Sequence, residues 1–320
     1  MKNLVVLSGA GMSAESGIST FRDAGGLWDR YPVEQVATPE GYARDPELVT
    51  HFYNERRKQL LEVEPNRGHE LLAELEKDFQ VTIVTQNIDN LHERAGSSHI
   101  IHLHGELTKV CSSRDPNNPH YIKELKPEEF EVKIGDLAGD GSQLRPFIVW
   151  FGESVPEIET AIDWVEKADV FVIIGTSMNV YPAAGLLNYV PRNAEIYLID
   201  PKPVDVHSSR PIHVIQKGAS EGVAELREKL LTTNHDAESF QKRCLMILCR
   251  HAFCQIINQD KVSIVKSTCF FHDADTPIEI RRETILQIIR LDKCMAGEKS
   301  LMAHKHSLLE TFPVQCLRCR

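Results

Sequence analysis

Residues 3–14 read NLVVLSGAGMSA, an apolar run that halts on glycine and passes into helix-forming residues. A short apolar segment that stops on glycine is the pattern of a strand buried on both faces of a parallel sheet. The turn Gly9-Ala10-Gly11-Met12-Ser13-Ala14 then opens a helix, with Ser13 and Ser16 available to cap it. Glycine lets a backbone approach a pyrophosphate, and a helix N-terminus offers it N–H donors and positive potential. Taken alone, the pattern suits a plain tight turn as well as a phosphate cradle. A hydride-transferring enzyme of this architecture also needs an acid for the ribose about 20 residues on, after a second strand. Here that position falls in Gly25–Pro32 (GGLWDRYP), where Asp29 follows no strand. The residues indicate a dinucleotide site without the dehydrogenase fingerprint.

Outward from this turn, apolar strands are predicted at Val81–Thr85, Ile100–Leu103, Phe147–Trp150, Val170–Ile174 and Ile196–Ile199. Between several of them lie helical patterns, at Asp45–Glu62, Gly68–Lys77, Glu157–Lys167 and Ala219–Leu231. This alternation predicts an α/β fold on a doubly wound parallel sheet. Two segments break the rhythm. Ala24–Thr38 (AGGLWDRYPVEQVAT) is a long connection of the sort that serves as a binding loop. Residues 111–145 are polar and turn-rich, and are expected to form a small inserted module.

The 320 residues are 42% apolar and 26% charged, enough for one or two domains with a real core. No run approaches the roughly 18–20 apolar residues of a membrane helix, so no membrane partner is expected. The first apolar run is too short for a secretory signal core. A net charge of −10 argues against a nucleic-acid partner. Cysteine and charge both divide the chain near Asn234. Cys111 is the single cysteine of residues 1–234, whereas seven lie in residues 235–320. The first part holds 23 basic and 36 acidic side chains, the second 13 and 10. A cysteine-poor first part fits a reducing compartment, and the expected location is cytoplasmic.

Gln86-Asn87-Ile88-Asp89 follows a predicted strand, at the carboxyl edge where open α/β sheets bind ligands. The alternative is that Asn87 and Asp89 cap a helix beginning at Leu91. His102 and His104 share strand parity and point to one side. His104, just past its strand, is placed as a general base near neutral pH; the alternative is a structural histidine. Gly175-Thr176-Ser177 and Gly218-Ala219-Ser220 are further turns suited to phosphate or ribose. There is no nucleophile elbow and no metal-binding histidine spacing to support ordinary hydrolysis.

Gly9–Arg22 (GAGMSAESGISTFR), Thr85–His92 (TQNIDNLH), His104-Gly105, Val149–Glu153 (VWFGE) and Gly175–Ser177 stand in sirtuin order and spacing. Residues 1–231 thus resemble the sirtuins, NAD-dependent protein-lysine deacylases. The likeness is closest to the bacterial and mitochondrial class that removes succinyl and malonyl groups. It implies a Rossmann-like NAD-binding domain over residues 1–234, with a cofactor loop at 22–40. Implied NAD contacts in the first segment are Gly9, Ala10, Gly11, Ser13, Gly17, Phe21, Arg22 and Trp28. Gln86, Asn87, Ile88 and Asp89 would line the nicotinamide and ribose pocket, and Gly175, Thr176, Ser177 and Ala219 the ribose and adenine side. The implied chemistry passes the acyl group from lysine to ADP-ribose and releases nicotinamide. Asn87, Asp89 and His104 would carry it, His104 as the base. Val149, Trp150, Phe151, Gly152 and Glu153 would pair with an extended acyl-lysine peptide.

Tyr53 and Arg56 match the Tyr-x-x-Arg pair with which the desuccinylase class recognises an acidic acyl end. One helical turn separates them, so both can face one pocket, the arginine with a bidentate fork and the tyrosine with a hydroxyl. Ala37 matches the small residue that leaves room for such a chain. The alternative makes Arg56 surface charge in the run Glu55-Arg56-Arg57-Lys58, and Tyr53 packing. Two departures stand against the family pattern. Most sirtuins hold a structural zinc with two cysteine pairs, whereas residues 111–145 offer Cys111 with Ser112, Ser113 and His120 nearby. No zinc is expected, and the module should be held by its own packing. The asparagine that usually binds the adenosine ribose is absent after Ile196–Ile199, and Asp200 is expected to take its task. Two other readings remain: an ADP-ribosyltransferase or NAD glycohydrolase, which the Tyr53/Arg56 pair opposes, and a non-enzymatic NAD or ADP-ribose sensor, which Asn87, Asp89 and His104 oppose. Residues 235–320, where Cys316 and Cys319 form a C-x-x-C pair without a matching second pair, lie outside the resemblance. They are read as an appendage, with residues 1–234 active alone.

Overall fold

The computed structural model describes residues 1–19, 31–206, 208–232, 268–271 and 274–279. Phe21, Arg22 and Trp28 lie outside these residues, as do positions 22–30 of the expected cofactor loop and all tail cysteines but Cys269. The chain divides into two units, Met1–Lys229 and Leu230–Arg320.

In the first unit, β1 (Lys2–Ser8) is the apolar run that opened the sequence, and its residues from Leu4 onward are buried. It lies between β2 (Phe79–Thr85) and β7 (Val170–Ile174), parallel to both. β3 (Ile100–His102), β8 (Glu195–Ile199) and β9 (His213–Ile215) extend the sheet, still parallel, in the order β3-β2-β1-β7-β8-β9. Counted along the chain this is 3-2-1-4-5-6, the doubly wound order. The order reverses direction between β1 and β7, so a crevice opens beyond their carboxyl ends. Val5, Leu7, Val84, Phe171 and Ile173 pack with Ala161 and Val165 of α7 (Ile158–Val165) in one core cluster.

The helices are α1 (Ala10–Ala14), α2 (Val33–Val36), α3 (Pro39–Arg44), α4 (Pro46–Glu62), α5 (Arg67–Glu74), α6 (Leu91–Arg94) and α7. A further helix begins at residue 219. Proline at the first position and Asp45, whose Oδ1 accepts from the Leu48 N–H at 2.9 Å, start α4. Asn66 and His69 start α5 by a reciprocal capping box. Two sequence expectations are corrected here. Gly9 is the N-cap of α1 with no side-chain bond; Ser13 and Ser16 are instead engaged with Asp89 and Asn66.

The second correction concerns Phe147–Trp150, expected as a strand of the parallel sheet. Its apolar residues end β6 (Leu144–Ile148), which runs antiparallel to β4 (Gly105–Ser112) in a separate sheet of order β5-β4-β6, with β5 at Lys123–Glu124. An apolar run reports burial and not the partner strand, so periodicity does not separate the two sheets. The strands of this sheet reach from Gly105 to Ile148, beyond the 111–145 expected for the insert. Its inner face, with Leu107 and Ile148, joins Val36, Val49, Phe52, Tyr53 and Trp150 in a second core cluster.

The module closes on a polar knot. Ser112 Oγ donates to Asp140 Oδ2 at 2.7 Å and accepts from the N–H groups of Arg114 and Asp115 at 3.1 and 3.0 Å. Ser142 Oγ donates to Asp140 Oδ1 at 2.7 Å. These bonds from Ser142 and Ser112 hold the Asp140 carboxyl down at about 2. Cys111 is buried, its Sγ directed at the Pro146 carbonyl 3.7 Å away. A zinc ion does not fit this donor set, and among the described residues no group of three His, Cys, Asp or Glu side chains is arranged to hold a metal. In the second unit, β10 (Thr268–Phe271) and β11 (Ala274–Glu279) form an antiparallel pair with Cys269 opposite Ile278.

Two buried imidazoles, His69 and His92, meet edge to face with ring centroids 4.8 Å apart. Burial lowers His69 to about 4 and carries His92 well below its usual value. Both are neutral in the fold, whereas in the unfolded chain they take up protons near pH 6.5. Stability is therefore full above about pH 6.5 and falls as the pH drops toward 4, by on the order of 3 kcal/mol for His69. His69→Gln keeps an acceptor for the Asn66 N–H but does not titrate. We expect the fall in Tm between pH 7 and pH 5 to shrink in this variant; an unchanged fall would refute the assignment. For the small module, Asp140→Ala should lower Tm at pH 7 while a chelator leaves the wild-type Tm in place.

Candidate active site

The carboxyl ends of β1 and β7 meet through glycine. A Cβ on Gly11 would lie 2.6 Å from Gly175 Cα, and Gly175 itself has φ +60°, a conformation that side chains resist. The Gly11 N–H donates to the Gly175 carbonyl at 2.8 Å, and Gly9 N–H to Ile174 O at 2.9 Å. The two turns thus form a cradle whose surface is backbone, the kind that accepts a pyrophosphate. Over it opens a cavity of about 700 Å³.

The cavity collects most residues singled out from the sequence. Gly9, Ala10, Gly11, Gly175, Thr176, Ser177 and Asp200 line it on the sheet side. Gln86, Asn87, Ile88 and His104 line its middle, and Ala37, Tyr53, Arg56 and Val149–Glu153 its far side. Ser13 and Asp89 line a small adjoining pocket shared with Ala10, Asn87, Ile88 and Arg56. Gly17 and Ala219 line neither, although Gly218, next to Ala219, lines the large cavity. Sequence reasoning missed Glu15, whose Oε1 accepts from the Ser220 N–H at 3.2 Å, and Asn179–Pro182. The latter directly follow the Gly175-Thr176-Ser177 turn, and that adjacency was the signal available.

The middle of the cavity is organised by buried polar groups, each satisfied by another. Asn87 Nδ2 donates to Gly9 O and Ser13 Oγ at 3.0 and 3.1 Å. Ser13 Oγ donates to Asp89 Oδ2 at 2.9 Å, and Asp89 Oδ1 accepts from the Leu91 N–H at 3.2 Å. One Asp89 oxygen thus holds the backbone at the start of α6 and the other holds the Ser13 hydroxyl. Burial raises its carboxyl above the usual range, against the bonds from Leu91 and Ser13. Gln86 Nε2 donates to Thr176 Oγ1 at 3.1 Å, tying the second strand end to the fourth.

His104 Nδ1 lies 3.0 Å from the Gln86 carbonyl. A carbonyl only accepts, so Nδ1 carries the proton and Nε2 keeps its lone pair. Burial lowers the pKa below 6.5, so the ring is neutral at pH 7 and competent as a base.

At the far side, adjacent arginines take opposite fates. Arg57 is buried, its Nε donating to Leu107 O at 2.9 Å and its Nη1 to Asn54 Oδ1 at 2.8 Å. Arg56 lines the cavity, with its guanidinium carbon 5.4 Å from the Phe52 ring centroid. Tyr53 is buried, and its Oη accepts from Trp150 Nε1 at 3.0 Å, which leaves its own proton to donate. Burial pushes its pKa up, so it remains a donor. Arg145 braces this wall: it grips Glu153 with two bonds of 2.8 and 3.0 Å, and its guanidinium carbon lies 3.6 Å over the Trp150 ring centroid. The Val149–Glu153 segment is a turn. The N–H groups of Val149, Trp150, Phe151 and Glu153 are bonded to His104 O, Glu153 Oε2, Ala37 O and Trp150 O.

The Sir2 family profile matches residues 9–182. A Bacteroides thetaiotaomicron protein named NAD-dependent protein deacylase is 84% identical over 231 residues, 72% of this chain and 99% of that protein. A Helicobacter pylori protein of the same name is 53% identical over 231 residues, covering 72% of this chain and 98% of its own length. Among solved structures, a Sir2 homolog–NAD complex aligns with TM-score 0.62 and 39% identity over 72% of this chain and 91% of that one. A Sir2–p53 peptide–NAD+ structure aligns with TM-score 0.58 and 28% identity, over 71% of this chain and 92% of that one. With the profile spanning more than half of its residues and these relatives matched nearly end to end, the chain belongs to the Sir2 family.

Proposed function

We infer that this chain is an NAD-dependent protein deacylase whose acyl pocket accepts an acidic chain. The observation that carries the reaction is a neutral His104 beside a backbone-walled dinucleotide cradle, with no protein nucleophile required. Gly9–Gly11 and Gly175–Ser177 would hold the phosphates, and Asp200 the adenosine ribose. Asn87, kept in place by Gly9 and Ser13, and Asp89 would hold the nicotinamide end. Bound NAD supplies the electrophilic ribose carbon and the ADP-ribose that takes the acyl group. His104 Nε2 removes a proton from a ribose hydroxyl, and its Nδ1–H stays on the Gln86 carbonyl, so the ring gains charge without losing its orientation. Acyl-lysine enters as a peptide segment over the Val149–Glu153 turn.

The acidic-acyl reading rests on Tyr53 and Arg56 meeting in one cavity with the buried, small Ala37 beside them. A Tyr53 hydroxyl that already accepts from Trp150 presents a donor, and Arg56 presents a cation; together they suit a carboxylate. The structure makes the two residues neighbours of the cavity, while the Glu55 and Lys58 side chains beside Arg56 face solvent. Cysteine scarcity in residues 1–234 supports a cytoplasmic location; among the described residues no helix is long and apolar enough to cross a membrane.

A peptide panel bearing succinyl-, malonyl- and acetyl-lysine with NAD tests the reading. Arg56→Met should lower kcat/KM on succinyl-lysine about 10–100-fold, the value of a lost charge-assisted bond, and on acetyl-lysine far less. Equal losses on both would sink the acidic pocket. Nicotinamide release without deacylated peptide would favour the glycohydrolase or ADP-ribosyltransferase reading. The base assignment is checked by pH. Because His104 acts unprotonated and its pKa is lowered, the acid limb of the kcat/KM profile should set in only below pH 6.5. A rate still climbing above pH 7 would refute a neutral, ready base.

A further inference from the structure

Four successive carbonyls, from Thr85 to Ile88, are each held by a donor of the segment 102–107. Leu103 N–H donates to Thr85 O at 2.9 Å and Leu107 N–H to Ile88 O at 2.7 Å. Between them, His104 Nδ1 meets Gln86 O at 3.0 Å and His102 Nδ1 meets Asn87 O at 3.1 Å. The two histidines differ in their other nitrogen. That of His104 has the cavity before it, whereas His102 Nε2 lies 2.7 Å from Glu93 Oε1. A carbonyl and a carboxylate are acceptors only, and a neutral imidazole owns one N–H. Both His102 bonds exist together only when the ring carries two protons.

We propose that His102 is a positioning residue that works as an imidazolium: clamped by Glu93, it fixes the Asn87 backbone and so keeps the Asn87 amide on Gly9 and Ser13 at the cofactor cavity. The inference rests on reading that cavity as the NAD site. Its surroundings are consistent. Burial opposes the charge on His102, yet the bond and field of Glu93 on α6, with Glu106 on β4 and the Asn87 carbonyl, outweigh it and hold the group above its ordinary value. Glu106 is itself paired with Lys109 Nζ at 2.7 Å, the Asp89 carboxyl feels the His102 charge, and His92 on α6 is kept neutral by burial. Loss of the His102 proton turns one of its two bonds into a contact between lone pairs and frees either Glu93 or the Asn87 carbonyl. As pH rises through the raised pKa, NAD binding weakens.

The test pairs NMR titration of the His102 ring with the pH profile of kcat/KM for NAD. In the wild type, His102 should titrate above pH 6.5, and kcat/KM should fall on the alkaline side with the same midpoint. Glu93 is 38% exposed, so Glu93→Gln should fold normally. It should move both the ring titration and the alkaline limb down together, by about one unit, while the acid limb set by His104 stays. His102→Gln should abolish that limb. A His102 that titrates at or below 6.5, or an alkaline limb that stays while the ring titration moves, would overturn the proposal. If no acyl-lysine peptide consumes NAD, the reading of the site fails, and the NMR titration still decides whether His102 is an imidazolium.

Discussion

Gly11 and Gly175 touch backbone to backbone, and most of the site follows from that contact. The parallel pairing of β1 with β7 brings their carboxyl ends together at the reversal of strand order. Only residues without Cβ permit the turns leaving those ends to interlock, Gly11 N–H on Gly175 O. The interlock leaves a concave surface made of main chain, which the second strand end then closes through Gln86 on Thr176 and Asn87 on Gly9. Three strand ends far apart in the chain thus become one wall. A methyl group at either glycine would push the turns apart before it met any ligand.

Beyond the cradle, the site is built by satisfying buried polar groups with one another. Ser13, Asn87 and Asp89 form a closed set, and the carbonyls of residues 85–88 are all spoken for. In a low-dielectric setting such networks are stiff, because releasing any member leaves an unpaired group. The same logic separates two histidines only two residues apart. His104 has one acceptor before its ring, whereas His102 has two, the geometry on which its proposed charge rests. The proposed base and the proposed cationic brace thus stand two residues apart at the end of β3.

The small module is held by a buried polar cluster. Asp140 gathers Ser112 and Ser142, and Ser112 gathers two backbone N–H groups, so one carboxylate cross-links both ends of the insert. Its packed face, with Leu107 and Ile148, also joins Tyr53 and Trp150 beside the cavity. Arg145 leaves β6 to hold Glu153 and to lie on Trp150, which in turn orients Tyr53. The pocket's polar tip and the module's fold are thereby coupled.

The parallel core was legible because buried strands read as apolar runs ending in glycine or polar residues, and the ends of those runs are where ligands bind. Gly9, Gln86, Asn87, His104 and Gly175 stood out on that ground alone. The Phe147–Trp150 run was assigned to the wrong sheet because hydrophobicity reports burial and is silent on strand direction. Ser13 looked like a helix cap and became part of the polar set, since a hydroxyl's partner depends on what folds over it. The local order of elements and the residue types at their ends were written in the sequence. Tertiary packing alone decided that Arg56 faces the cavity while Arg57 is buried, that Trp150 reaches Tyr53, and that His102 has a second acceptor. Each of those facts is a distance between residues that the chain brings together only by folding.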